Sequence, residues 1–215
     1  MKISIIVGGR FHAFNLAEEL DSKGFLNQLI TSYPKYYIKN NFNINIQKVD
    51  TIILKEILSR IPLTQKFFEN FVSNYFEKKA SKLIDIKNID ILIGWSGFSL
   101  SSFEKAKNFN CIKVLERGST HIEFQRDILL KEYRLMNLKP KLPSREIIKK
   151  ELKEYELADY ITVPSEFAKK TFLEKGLPKH KIIKIPYGVN IKQFDIVNEK
   201  KIKKNLFRVI YVGNC

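Results

Sequence analysis

Two short polar segments of this 215-residue sequence carry residue types that can bind sugars or phosphates. The first is GGRFH, in which the paired glycines Gly8 and Gly9 directly follow an apolar run. Glycine at that point lets backbone N–H groups approach a ligand without a Cβ in the way. We predict that these glycines bind substrate together with Arg10 and His12. The alternative is that the glycines only form a tight turn between a strand and a helix.

The second segment, ERGSTHIEFQRD at 116–127, follows another apolar run. Arg117 and Ser119 are predicted to bind substrate, and His121 is suited to hydrogen bonding or proton transfer because an imidazole titrates near neutral pH. The same residues allow a purely structural interpretation. In that interpretation Ser119 or Thr120 caps a helix that begins near His121.

Other kinds of site are disfavoured by the sequence. The glycine segment lacks the third glycine of the dinucleotide fingerprint, and Thr31 and Ser32 stand where an acidic residue would end the second strand. The scattered histidines and cysteines lack metal-ligand spacing, so we predict no metal and no cofactor. His180 lies between two lysines and is predicted to be a solvated surface residue. Ser165 is predicted to cap a helix, since it lacks the glycines of a nucleophile elbow.

The composition describes a folded and strongly basic chain. Hydrophobic residues make up 44% of it, and 38 Lys and Arg against 23 Asp and Glu give a formal net charge of +15. That charge attracts phosphates, nucleic acid or anionic lipid. The two cysteines, Cys111 and Cys215, exclude a disulfide scaffold and favour a reducing compartment. No segment resembles a signal peptide or a membrane span. We expect a cytoplasmic protein, either soluble or peripheral on the inner face of the membrane.

Residues 60–84 are predicted to form a helix in which aromatic residues alternate with lysines. This combination suits a helix lying on anionic lipid, and it equally suits a core-facing stripe whose lysines extend to solvent. Nucleic-acid binding needs exposed aromatics for base stacking, and the helical spacing argues against it, so we predict no nucleic-acid partner. The aromatic residues are Phe67, Phe68, Phe71, Tyr75 and Phe76.

Short β-branched runs alternate with helical periodicity along the chain, which is typical of a parallel sheet flanked by helices. We predict an α/β fold, a Rossmann-like open parallel sheet with helices on both faces. Predicted strands are 2–7, 25–31, 90–95, 111–116, 159–164, 181–186 and 207–212. Predicted helices are 11–24, 64–84, 99–109, 121–138, 144–157 and 165–175.

The charged stretch 197–206 looks like a linker between a first domain, 1–196, and a final strand at 207–215. A single strand cannot bury two faces by itself. It either adds to the edge of the first sheet or is the first strand of a second domain that these residues do not include. We favour the second arrangement because βαβ units come in series.

The stretch 149–194 resembles the closing part of the N-terminal domain of retaining glycosyltransferases of family 4, which have the two-Rossmann GT-B architecture. In those enzymes a helix bearing Glu leads into an "AD.I...S" strand, a helix ending in Gly, and a "KI.VI..GV" strand and turn. The paired glycines after the first strand, LAEEL followed by KG, and RVIYVGN agree with the same family. The matching residues are Glu156, Ala158, Asp159, Ser165, Gly176, Lys181, Gly188, Val189 and Phe194.

The resemblance implies transfer of a sugar from a nucleotide-sugar donor to a glycan or lipid-linked acceptor, with retention at the anomeric carbon and generally without a metal. It implies acceptor and diphosphate contacts at Gly8 and Gly9, a donor-sugar contact at His121, and a donor-phosphate contact at Gly213. The family's donor site belongs to the second domain, so we expect these residues alone to be inactive without a separate C-terminal domain. The competing hypothesis is a non-catalytic basic module for an anionic ligand or a membrane surface.

Overall fold

The computed structural model describes residues 1–59, 65–189, 207 and 209–211. Its centre is a seven-stranded parallel sheet in the order β3-β2-β1-β4-β5-β6-β7. The strands are β1 Ile3–Val7, β2 Leu26–Thr31, β3 Val49–Thr51, β4 Ile91–Trp95, β5 Ile112–Glu116, β6 Tyr160–Val163 and β7 Ile182–Lys184. The helices are α1 Ala13–Ser22, α2 Lys35–Asn41, α3 Leu54–Ser59, α4 Gln65–Leu83, α5 Leu100–Ala106, α6 Ile122–Leu135, α7 Arg145–Leu157 and α8 Glu166–Glu174.

Helices cover both faces of the sheet, as predicted. Successive residues of β1 point to opposite faces, so Ile5 packs with Phe14 of α1 while Ile6 packs with Phe76 of α4 and Phe103 of α5. Both faces are therefore lined by apolar side chains. This explains why the central strands β1 and β4 are apolar along most of their length rather than alternating.

The strand order reverses between β1 and β4. From β1 the chain moves outward to β2 and β3, then returns to the other side of β1 to form β4 and the strands beyond it. In open parallel sheets ligands commonly bind at the carboxyl ends of the strands beside such a reversal. The segment after Val7 and the segment after Trp95 lie there, and we call this region the crevice.

One of the predicted helix caps is present in the structure and another is not. Ser165 caps α8 by accepting a hydrogen bond from the Ala168 N–H at 3.1 Å, which confirms the prediction. The cap of α6 is His121, whose Nδ1 accepts from the Glu123 N–H at 3.3 Å. The expectation that Ser119 or Thr120 caps this helix is therefore wrong, because the helix begins one residue later.

Three elements between 35 and 59 were missed by the sequence analysis. The strand β3 has only three residues, one of them Asp50, and pairs with a single neighbour at the sheet edge. The short helix α2 buries only Ile38, so neither it nor β3 shows a clear apolar period. The adjacent α3 is six residues long.

At the other end, the predicted strand 207–212 is only partly described. Residues 207 and 209–211 lie outside helices and strands and are exposed. The linker 197–206 lies outside the described residues, and the domain boundaries stay a prediction. In α4, Phe76 is fully buried and Phe71 is exposed, whereas the side chains of Phe67 and Phe68 lie outside the described part.

Candidate functional site at the reversal of the strand order

The glycine loop after β1 sits against the loop after β4. A Cβ at Gly8 would overlap the aromatic ring of Phe98, so only glycine lets the two loops approach this closely. The Gly9 carbonyl accepts a hydrogen bond from the Thr31 hydroxyl at 3.3 Å, which fixes the loop to the end of β2. The glycine segment is thus held at the border of the crevice, where the sequence predicted it.

His12 and Glu116 form a pair across this crevice. The Nε2 atom of His12 lies 3.2 Å from the Glu116 carboxylate, and the two side chains are 36% and 12% exposed. Glu116 also accepts a hydrogen bond from the Thr162 hydroxyl, its neighbour in the strand register. When Nε2 donates to Glu116, Nδ1 keeps its lone pair, and among the described residues it has no hydrogen-bond donor. His12 can therefore accept a hydrogen bond or a proton from a ligand.

Aromatic rings hold the His12 imidazole in place. Its centroid lies 5.1 Å from the Trp95 ring and 4.6 Å from the Tyr187 ring. Tyr187 in turn lies over Gly118, where a Cβ would come within 2.5 Å of the tyrosine hydroxyl. The ends of β4 and β5 and the segment after β7 thus each place one side chain against the His12 imidazole, which orients it and restricts its motion.

Arg10 and Phe11 lie on the outer side of the same loop. The Arg10 guanidinium carbon is 5.9 Å from the ring centroid of Tyr37 and 6.0 Å from that of Phe42, and the residue is exposed. Phe11 is exposed and has φ of 39°, in the left-handed region that a non-glycine residue seldom adopts. Such strain is common at ligand-binding loops. Substrate binding by Arg10 stays a prediction.

The Arg117 guanidinium forms hydrogen bonds and an ion pair with other residues of the protein. Its NH2 nitrogen donates to Gln125 at 2.9 Å, its Nε donates to the Thr120 carbonyl at 3.1 Å, and its NH1 lies 3.1 Å from the Glu151 carboxylate. These contacts anchor the loop after β5 to α6 and α7. The neighbouring Ser119 is half-buried in the same loop. Substrate binding by either residue stays a prediction.

His121 lies in a different environment from His12. It is only 1% exposed, and its ring packs against Tyr155 and Phe172 with both centroids at 5.1 Å. Its backbone N–H donates to the Thr171 hydroxyl at 3.0 Å. Burial lowers the pKa of His121 from 6.5 to about 4, so the ring is neutral at pH 7. Its predicted contact with a donor sugar stays a prediction, and it requires this enclosed ring to become accessible.

A buried carboxyl group of α7 organises the loop after β4. Glu154 accepts hydrogen bonds from the N–H groups of Gly97 at 2.7 Å, Ser99 at 2.8 Å and Leu100 at 3.1 Å. Burial raises the pKa of Glu154 to about 8, while the N–H donors act in the opposite direction. This contact fixes the segment that carries Phe98 against the glycine loop.

Sequence reasoning missed three members of the site. Glu116, Trp95 and Tyr187 each stand at or just after the end of a strand that was predicted, so their positions gave a usable signal. What the sequence did not reveal is that the register places Trp95, Glu116 and Thr162 side by side. Gly213 lies outside the described residues, and His180 is exposed, as predicted.

Within the described part of the chain, no group of three or more His, Cys, Asp or Glu side chains is placed to hold a metal ion. No described helix is both long enough and apolar enough to cross a membrane.

No family profile matches the chain, and no curated protein sequence matches it significantly. Its fold is similar to that of several UDP-N-acetylglucosamine 2-epimerases. The enzyme from Rickettsia bellii superimposes with a TM-score of 0.52 at 16% identity over 86% of this chain and 44% of the enzyme. The enzyme from Neisseria meningitidis, solved with UDP-GlcNAc bound, gives a TM-score of 0.52 at 13% identity over 85% of this chain and 45% of the enzyme.

A third structure, from Methanocaldococcus jannaschii, gives a TM-score of 0.50 at 14% identity over 85% of this chain and 45% of the enzyme. The chain thus spans less than half the length of these proteins. At such low identity the similarity establishes the fold. The chain has a Rossmann-like α/β architecture that superimposes on part of these enzymes.

Proposed function

We propose that this chain is the acceptor-side domain of a nucleotide-sugar-dependent glycosyltransferase of the GT-B type. The observation that carries the proposal is the His12–Glu116 pair, which lies beside the glycine loop at the strand reversal. The His12 side chain is 36% exposed, and among the described residues its Nδ1 has no hydrogen-bond donor. An acceptor hydroxyl donating to that nitrogen is oriented for attack on a sugar carbon presented from the opposite side of the crevice.

The family resemblance supports the remaining parts of the proposal. The donor is a nucleotide sugar, the acceptor is a glycan or a lipid-linked glycan, and configuration at the anomeric carbon is retained. Nucleotide-sugar binding needs groups from two walls of a cleft, because one wall supplies neither recognition of the base nor full neutralisation of the diphosphate. We therefore expect a second lobe to provide the donor site and Gly213 to lie near its phosphates.

The test compares the chain alone with a polypeptide that continues beyond residue 215 into a nucleotide-sugar-binding lobe. With radiolabelled nucleotide sugars and a panel of glycan and lipid-linked acceptors, the chain alone is expected to give no turnover and the two-lobed protein to transfer sugar. Proton NMR of the product reads the anomeric configuration, which is expected to match the donor. Turnover by the chain alone would contradict the requirement for two walls.

Matched variants of the two-lobed protein test the role of the pair. His12→Gln removes the accepting nitrogen and is expected to lower kcat/KM by about 10²-fold or more. His180→Gln changes an exposed histidine far along the chain and is expected to leave kcat/KM within about twofold. If both variants retain full activity, His12 has no part in the reaction.

The fold comparison favours a second candidate, an epimerase acting on a nucleotide sugar. The solved structures most like this chain include UDP-GlcNAc 2-epimerases, one of them with UDP-GlcNAc bound. An epimerase converts UDP-GlcNAc to its 2-epimer without an acceptor, whereas a transferase needs one. NMR of a reaction with UDP-GlcNAc and no acceptor separates the two candidates.

A further inference from the structure

The C-terminal end of α6 presents apolar side chains to solvent in a strongly basic setting. Leu135 is 71% exposed, Met136 is 65% exposed and Leu138 is 52% exposed. All residues from 134 to 141 are exposed. Scattered exposed apolar residues need no explanation, but three within four positions at a protruding helix end form a patch. We call residues 131–145 the α6 tip.

The α6 tip is ordered rather than frayed. Asn137 adopts a left-handed conformation with φ of 53°, as asparagine does at helix ends. The Leu138 N–H then donates to the Tyr133 carbonyl at 2.9 Å, and the Met136 N–H donates to the Glu132 carbonyl at 3.0 Å. These bonds close the last turn of the helix. The apolar side chains are therefore held outward by a hydrogen-bonded turn.

Positive charge surrounds the apolar side chains. The α6 tip contains five Lys and Arg residues and one acidic residue. A cavity of about 330 Å³ runs along the helix just before the turn, and Lys131 and Arg134 line it together with Leu130, Leu135 and Asp127. A segment that binds at a membrane surface needs two kinds of group. Its apolar side chains enter the acyl boundary, and its cations bind lipid phosphates. The basic residues are Lys131, Arg134, Lys139, Lys141 and Arg145.

We propose that the α6 tip docks the protein on a bilayer that contains anionic phospholipid. A protein partner would have to bring a matching acidic surface, and a second copy of this chain, with its net charge of +15, brings repulsion instead. The sequence analysis considered residues 60–84 for such a role. In the described part of that helix Phe76 is fully buried and Phe71 is exposed, whereas the α6 tip exposes three apolar side chains within four positions. This inference goes beyond the proposed function, since lipid binding needs no turnover.

The first experiment is sedimentation of the chain with lipid vesicles. We expect it to sediment with phosphatidylcholine vesicles that contain about 30% phosphatidylglycerol and to stay in the supernatant with pure phosphatidylcholine, because the cations need lipid phosphate charge. Binding is also expected to weaken as salt rises. Equal binding to both vesicle types overturns the proposal. Failure here leaves the transferase test unaffected, because that assay also includes soluble acceptors.

Two matched pairs of variants then locate the surface. Lys139→Glu/Lys141→Glu is expected to weaken binding to the anionic vesicles by about tenfold or more. Lys35→Glu/Lys39→Glu makes the same charge change at exposed positions of α2, and we expect a loss below about threefold. Leu135→Ser/Leu138→Ser preserves the charge and is expected to weaken binding by about tenfold. Tyr36→Ser, at a residue that is 69% exposed, is its control and is expected to have little effect.

Circular dichroism and urea unfolding confirm that each variant is folded before binding is compared. The proposal is overturned if Leu135→Ser/Leu138→Ser binds as the unmodified chain does, or if the α2 variant loses as much binding as the α6 variant. Sedimentation velocity adds a further outcome. A dimer that Leu135→Ser/Leu138→Ser dissociates, in the absence of vesicle binding, would show that the α6 tip is a protein interface and would also overturn the proposal.

Discussion

His12 and His121 both follow parallel strands at the carboxyl edge of the same sheet, and they differ in exposure and in hydrogen bonding. His12 is partly exposed, its Nε2 contacts a carboxylate, and its Nδ1 has no hydrogen-bond donor among the described residues. His121 is enclosed by Tyr155 and Phe172, caps a helix through Nδ1 and is neutral at pH 7. A position at the end of a strand thus gives a histidine access to the ligand edge, and local packing decides whether the side chain faces it.

The largest difference is expected in stability. His121→Ala removes a fully buried ring and a helix cap, so it should lower the free energy of unfolding by about 3 kcal/mol or more. His12→Ala removes a partly exposed side chain and should cost less than about 1 kcal/mol. Urea unfolding monitored by circular dichroism measures both. Similar losses for the two variants would remove the contrast between a structural and a functional histidine.

The buried ring of His121 should also make the free energy of unfolding depend on pH. The folded-state pKa of His121 is lowered by burial to about 4, below its ordinary value of 6.5. Between those values the unfolded chain binds a proton that the folded chain does not, so stability is lost as pH falls through this range, by at most about 3 kcal/mol. Glu123, Lys175 and Arg117 are the charged groups that act on this ring.

His121→Asn keeps a capping oxygen and removes the titrating ring. We expect its free energy of unfolding to change with pH less steeply than that of the unmodified chain between about pH 6.5 and 4. Urea midpoints across this range provide the measurement. Parallel pH profiles for the two proteins would show that His121 does not titrate as its burial requires.

The smallest effect is expected for the partner of His12. Glu116→Gln keeps the hydrogen bond from Thr162 and the shape of the side chain, and the His12 contact that it alters is partly exposed to solvent. The free energy of unfolding should change by less than about 1 kcal/mol. In the two-lobed protein the same variant should lower kcat, because an amide nitrogen facing Nε2 of His12 donates to it and leaves the ring proton on Nδ1, which then cannot accept from a substrate hydroxyl. A large loss of stability would place the pair in the structural framework rather than in the site.

The architecture was largely predictable because both faces of the sheet are buried. Six of its strands lie in the predicted β-branched or apolar stretches between helical periods, and this pattern can be recognised without a structure. The edge strand β3 could not be predicted from the sequence, because its three residues, which include Asp50, show no apolar periodicity. The sequence also predicted that Gly8 and Gly9 follow a strand at the carboxyl edge of the sheet, where the structure places them, and ligand binding at this edge stays a prediction.

Which residues form the candidate site was less predictable, because this depends on strand register and on packing between elements that are distant in sequence. Glu116 reaches His12 across more than a hundred residues of sequence, and Tyr187 comes from beyond the last strand. Arg117 has the residue type of a phosphate ligand, but its guanidinium is used by Gln125 and Glu151. Such partners are settled by the tertiary fold, which local sequence patterns do not encode.

Histidine acylation by diethyl pyrocarbonate, followed by mass spectrometry, tests most directly whether His12 is the histidine that the sheet edge presents to a ligand. The exposed His180 supplies an internal standard. We expect native protein to be acylated at His12 and His180, with His121 reacting more than about 10²-fold more slowly until urea unfolds the chain. Acylation of His121 at the rate of His180 in the native protein, or protection of His12, would contradict the account.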